Sequence, residues 1–91
     1  MTMLLIVHGV VQGVNYRQST LSKAMELGVV GNVSNLPDGT VKIIAKGMPE
    51  QIDKLIEWCR VGPKHAKVIN VSCHEIDDKP FDSFVVLREH D

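Results

Sequence analysis

The segment Gln12-Gly13-Val14-Asn15-Tyr16-Arg17 stands where an apolar, strand-like run gives way to a helical pattern. A strand that turns into a helix through a glycine loop leaves several backbone N–H groups at the helix start without intrahelical partners. Such a terminus binds anions through its amides and its dipole. Arg17 adds a planar, permanently charged fork that matches two phosphate oxygens. The ligand read from these residues is a small dianion, a phosphoryl group. Asn35, just before the turn sequence Leu36-Pro37-Asp38-Gly39, is the second candidate. Taken singly, a glycine loop is an ordinary connection, Arg17 is a solvated helix residue, and Asn35 is a turn former. Their convergence in space is what would make a site.

The elements needed for that convergence are legible. Met3 to Val11 is a short, nearly continuous apolar run, which predicts a buried central strand. Leu21, Ala24, Met25 and Leu27 fall at helical spacing over Arg17 to Leu27, and Gly28 supplies the stop. Val29 to Asn35 reads as a second strand. After the 36–39 turn, Val41 to Lys46 alternates as a third strand, hairpin-paired to the second. Pro49 opens a second helix, with Ile52, Leu55, Ile56 and Cys59 on one face and Gly62-Pro63 as its end. Ala66 to Ile76 alternates Val68, Asn70, Ser72 and His74 against Ile69, Val71 and Cys73, a fourth strand. Asp77-Asp78-Lys79-Pro80 is a loop, and Phe84 to Leu87 is a short last strand.

This order predicts an α+β fold: a ferredoxin-like split β-α-β sandwich, an antiparallel sheet with two helices on one face. Its mechanistic consequence is specific. The first two strands are joined by a crossover helix, so they run parallel and end on the same side of the sheet. The Gln12–Tyr16 loop is thereby brought near Asn35.

Composition bounds the alternatives. The chain has 91 residues and a net charge of −1, which makes one domain, 1–91, with no general attraction to nucleic acid or anionic membranes. No apolar run is long enough to span a bilayer, and Met1-Thr2-Met3 leads straight into a strand without a basic region or cleavage site. Cys59 and Cys73 are too few for a disulfide scaffold, so both are expected as reduced, core-filling thiols in a cytoplasmic protein. His8, His65, His74 and His90 do not pair with second ligands at metal spacing, so they are expected to be structural or solvated, with no metal and no cofactor. The sequence lacks the Cys-x-x-Cys of a metal carrier, and its few aromatics (Trp58, Phe81, Phe84) lie outside the strands on which an RNA-binding sheet would need them.

The motifs carry a resemblance. Gly9-Val10-Val11-Gln12-Gly13-Val14-Asn15-Tyr16-Arg17 is similar to the acylphosphatase pattern Gly-x-Val-Gln-Gly-Val-x-Phe-Arg. Gly31-Asn32-Val33-Ser34-Asn35-Leu36-Pro37-Asp38-Gly39-Thr40-Val41 resembles the second signature, Gly-aromatic-Val-basic-Asn followed by Asp-Gly-x-Val. Gly62-Pro63-Lys64-His65-Ala66-Lys67-Val68 follows the later Gly-Pro-x-x-Ala-x-Val. The chain departs from the family at Asn15, at Tyr16 for phenylalanine, at Asn32 for an aromatic, at Ser34 for a basic residue, and at Arg88 near a frequent tyrosine. These differences bear on rate, substrate range and stability more than on the reaction.

The resemblance implies metal-free hydrolysis of the carboxyl–phosphate bond of acyl phosphates, with Arg17 and Asn35 as catalytic residues. Residue chemistry agrees. Phosphoryl transfer from an already activated leaving group needs positioning and charge stabilisation. Arg17 and the loop Gln12, Gly13, Val14, Asn15 and Tyr16 would hold the phosphoryl oxygens, and Asn35 would hold a water in line. The expected partner is a small-molecule acyl phosphate, and the expected state is a monomer. The alternative is a non-catalytic phosphate- or carbamoyl-phosphate-binding module of the same fold. It is disfavoured on the expectation that no catalytic domain follows Asp91.

Overall fold

The computed structural model describes residues 1–88, so His90 lies outside the described residues. The elements follow in the order β1 (Thr2–Val10), α1 (Tyr16–Leu27), β2 (Val30–Asn35), β3 (Val41–Lys46), α2 (Pro49–Cys59), β4 (Lys67–Ile76) and β5 (Phe84–Leu87). They form one five-stranded sheet, ordered β4-β1-β3-β2-β5. β3 pairs antiparallel with both β1 and β2, so β1 and β2 run parallel with β3 between them, as the crossover requires. The expected α+β sandwich is thus present, with one addition. β5 pairs parallel with β2, which makes the sheet mixed rather than wholly antiparallel.

The core lies between the sheet and the helices. Leu5 and Val7 of β1, Val33 of β2, and Val41, Ile43 and Ala45 of β3 are fully buried. They meet in register across the strands, Val7 opposite Val41 and Leu5 opposite Ile43. Burying a side chain of this kind contributes about 1.5–3 kcal/mol. From α2, the helical stripe Ile52, Leu55 and Cys59 packs onto this layer.

α1 keeps most of the expected stripe, with Ala24 buried and Leu21 and Leu27 packed against the core, and departs from it at Met25. Its buried residues are Tyr16, Thr20 and Ala24, while Met25 is exposed. Thr20 can be buried because its hydroxyl donates to the Tyr16 carbonyl at 2.8 Å. A polar group satisfied locally loses little on burial. Gly28 ends the helix as expected, its left-handed φ of 78° allowing Val29 N–H to reach back to Ala24 O at 2.9 Å.

β4 does not alternate throughout. The register slips between His8 and Gly9 of β1, so that His8 faces Asn70 and Gly9 faces Val68. Ile69 is the extra, bulged residue and is 83% exposed. Val68 therefore shares the core side with Val71, against the expected pattern. Gly9 is required here: a Cβ on it would stand 2.0 Å from the Lys67 carbonyl oxygen. Bulges of this kind also protect an edge strand from pairing with another chain.

Candidate active site

β1 ends in the centre of the sheet, and the chain must turn sharply to enter α1. Two left-handed residues make the turn, Gly13 at φ 74° and Asn15 at φ 66°. Asn15 is the only non-glycine with positive φ among the described residues, and asparagine is among the few residues that tolerate this region. Alternating backbone conformations of this sort turn successive N–H groups toward one concave side. Asn15 is also the N-cap of α1, and its side chain makes no capping bond to the helix. It approaches Ser19 Oγ instead, at 3.4 Å. The first intrahelical bond runs from Ser19 N–H to Asn15 O at 3.1 Å. The amides of Tyr16, Arg17 and Gln18, one turn earlier, therefore have no partner within the helix.

Tyr16 fixes this terminus in place. Its ring is buried, and its hydroxyl donates to the Cys59 carbonyl at the end of α2, at 2.8 Å. The ring also packs against Trp58 with centroids 5.5 Å apart. Burial holds the phenol well above its usual range, with the contact at Cys59 adding to the effect. The Tyr16 side chain is therefore an anchor, and only its backbone amide is available to the loop. Burial likewise pushes the Cys59 thiol up to about 12.

A pocket of about 240 Å³ opens above the turn. Gly13, Asn15, Tyr16 and Arg17 line it from the loop side, and Asn35 lines it from the end of β2. Gln18, Val11, Val86 and Arg88 complete its wall. Arg17 and Asn35, far apart in sequence, thus share one cavity. Arg17 is half-buried, and its Nη1 donates to the Leu87 carbonyl of β5 at 3.1 Å. That single bond orients the guanidinium and leaves its other donors for a ligand.

Gln12 and Val14 are not among the lining residues. Val14 packs against the core. The Gln12 carboxamide donates to the carbonyls of Leu36 and Thr40, both at 2.8 Å. It clamps the two ends of the turn that follows Asn35. That turn is closed independently by Gly39 N–H to Leu36 O and by Leu36 N–H to Thr40 O. Thr40 donates from its hydroxyl and its amide to Asp38 Oδ1, at 2.6 and 3.0 Å, holding the Asp38 carboxyl below its ordinary range. The predicted Leu-Pro-Asp-Gly turn is therefore the rigid support of Asn35. Sequence reading missed Gln12 as a clamp and Arg88 as a wall residue. The former depends on a contact across sequence, the latter on the strand register described below.

The remaining candidates stay away from the pocket. His8 is half-buried in β1, and His65 and His74 are exposed. Both cysteines are free: Cys59 is buried, and Cys73 sits half-buried at the core margin. Among the described residues there is no group of three or more His, Cys, Asp or Glu side chains placed to hold a metal ion. None of the described helices is long and apolar enough to cross a membrane.

Comparison with known proteins identifies the family. The acylphosphatase family model matches residues 3–86. An acylphosphatase of Acaryochloris marina is 49% identical over 83 residues, covering 91% of this chain and 89% of the relative. One from Marinobacter nauticus is 54% identical over 72 residues, covering 79% and 78%. Among solved structures, an acylphosphatase from Coxiella burnetii superposes with a TM-score of 0.92 at 40% identity, covering 94% of this chain and 90% of that one. The chain belongs to the acylphosphatase family, enzymes that hydrolyse acyl phosphates.

Proposed function

We propose that the chain hydrolyses the carboxyl–phosphate bond of acyl phosphates with Arg17 and the first-turn amides holding the phosphoryl group and Asn35 holding the attacking water. The observation that carries this reading is the shared pocket: Arg17 and Asn35 line one cavity around the left-handed turn at Gly13 and Asn15. Water adds to phosphorus as the carboxylate leaves, and the products are carboxylate and inorganic phosphate. Arg17 and the amides stabilise charge on the non-bridging oxygens, the main requirement of phosphoryl transfer. Among the described residues, no histidine, aspartate, glutamate or lysine lines the pocket. The proton of the water therefore passes to a phosphoryl oxygen of the substrate. The same lining, among the described residues, offers a divalent ion no carboxylate, imidazole or thiolate, which supports a reaction without metal. The two free cysteines support a reducing, cytoplasmic setting, and we read the chain as a monomer.

The test is hydrolysis of acetyl phosphate beside a simple phosphate monoester, with and without a strong chelator. Acetyl phosphate should be turned over equally in both conditions, at a rate nearly flat from about pH 5.5 to 7.5. The monoester should be a very poor substrate, because its alkoxide needs an acid that the pocket does not provide. Loss of activity on chelation, or a sharp bell near a histidine pKa, would overturn the mechanism. Phosphate binding without any hydrolysis would favour a non-catalytic binding module.

A further inference from the structure

Among the described residues two cations line the pocket, and the proposed mechanism uses one of them, Arg17. Arg88 is the other, and no acidic residue among those described lines the cavity with them. The strand register explains its position. In the parallel β2–β5 ladder, Val33 pairs with Val86 and Ser34 with Leu87. One residue further along, Arg88 falls beside Asn35. Alternation along β5 puts Arg88 on the same side as buried Phe84 and half-buried Val86. The residue before it, Leu87, accepts the hydrogen bond from Arg17. Yet Arg88 is exposed, whereas Arg17 is half-buried.

This difference in depth separates two parts of a ligand. The amides at the start of α1 and the Arg17 side chain form the floor, where the phosphoryl end belongs. With the phosphoryl group held there, the acyl group extends toward the more exposed part of the wall. Val86 adds an apolar lining residue, and Arg88 an exposed charge. We propose, building on the acyl-phosphate reading, that Arg88 is a specificity-determining residue that binds a second anionic group on the acyl portion of the substrate. The site then favours a short acyl phosphate that ends in a carboxylate over a neutral one of the same kind.

The proposal can be tested with two phosphonates that resist hydrolysis, acetylphosphonate and succinylphosphonate, titrated calorimetrically into the wild type and three variants. The wild type should bind succinylphosphonate about three- to fivefold more tightly, the upper range for an exposed ion pair. Added salt should shrink that ratio toward one. Arg88→Gln should abolish the preference, Arg88→Lys should keep part of it, and Arg88→Glu should reverse it. Equal affinities in the wild type would overturn the proposal. So would an unchanged ratio in Arg88→Gln, including the case where both ligands weaken together, which would make Arg88 a phosphoryl-binding group. Should Arg88→Gln fail to fold by circular dichroism, the wild-type salt dependence and Arg88→Lys decide. Acetyl phosphate turnover by the same wild-type preparation tests the hydrolytic reading separately, because the phosphonate ratio does not depend on catalysis.

Discussion

The two helices begin in opposite ways. At the start of α2, Gln51 Oε1 accepts the Met48 N–H at 2.8 Å, Pro49 removes an amide donor, and Glu50 places a negative charge in the first turn. Those features close a helix terminus to anions. At the start of α1, the cap residue is left-handed, its side chain makes no capping bond, and the first turn carries no acid. Arg17 occupies that turn instead. α2 also buries an apolar stripe, while α1 buries a tyrosine, a threonine and an alanine. Both helices contribute to the core, but only α1 leaves its first-turn amides without a capping side chain, at a terminus whose residues line a pocket. A helix terminus can take up an anion when its usual internal partners are withheld.

The comparison would break most visibly at Arg17. Arg17→Gln removes charge-assisted bonds at the open terminus, each worth about 1.5–3 kcal/mol. It also releases the Leu87 carbonyl. Substrate and inorganic phosphate should weaken together, and kcat/KM should fall by more than the loss of one bond allows. Phosphate affinity equal to that of the wild type would remove Arg17 from the cradle.

Asn35→Ala should sharpen the division of labour. Phosphate affinity should stay near the wild-type value while turnover falls roughly 10²–10³-fold, as when one preorganised polar group is removed from a transition-state site. The turn behind it is held by Gln12, so the fold should survive. Full turnover in the folded variant would reduce Asn35 to a turn residue.

Tyr16 joins the two helices, open start to far end, through its bond to Cys59 O. Tyr16→Phe should lower stability by about 1–3 kcal/mol, because a buried acceptor loses its donor. Thermal unfolding should shift down by roughly 4–8 °C for each kcal/mol in a chain of this size. Burial of the same two residues sets an alkaline limit. In the unfolded chain Cys59 ionises near its ordinary value of 9, but in the folded chain only near about 12. Between those values the unfolded state binds fewer protons, so stability falls as pH rises. Tyr16, also raised, acts in the same direction. Stability that is constant from pH 9 to 11 in denaturant titrations would contradict the burial of these two groups.

The smallest effects test the termini directly. Gln18→Glu puts an acid into the first turn of α1 at the pocket wall. It should weaken inorganic phosphate by about two- to fivefold, less at high salt. Glu50→Gln in α2 should change stability by about 0.3–1 kcal/mol and leave turnover alone. Equal responses of the two helices to phosphate would erase the distinction between them.

Much of this molecule follows from the sequence alone. The order of elements follows from local periodicity and punctuation, such as Gly28 at the end of α1 and Leu36-Pro37-Asp38-Gly39 between β2 and β3. Those signals act over a few residues, and tertiary contacts reinforced them. The meeting of Arg17 with Asn35 was also legible, because a right-handed crossover leaves little freedom in where two parallel strands end.

What only the tertiary structure decided involves partners distant in sequence. Alternation in β4 gives no sign of a register slip, and the bulge at Ile69 arises from how β4 meets Gly9 of β1. Gln12 lies within a phosphate-loop motif, yet its side chain turns to the Leu36 and Thr40 carbonyls, because those acceptors are brought to it by the fold. Tyr16 looks like a loop residue and proves to be a core anchor, since Cys59 supplies a buried acceptor from the other helix. Arg88 joins the pocket only because β5 runs parallel to β2, and the direction of a short terminal strand is set by the edge it pairs with, not by its own residues.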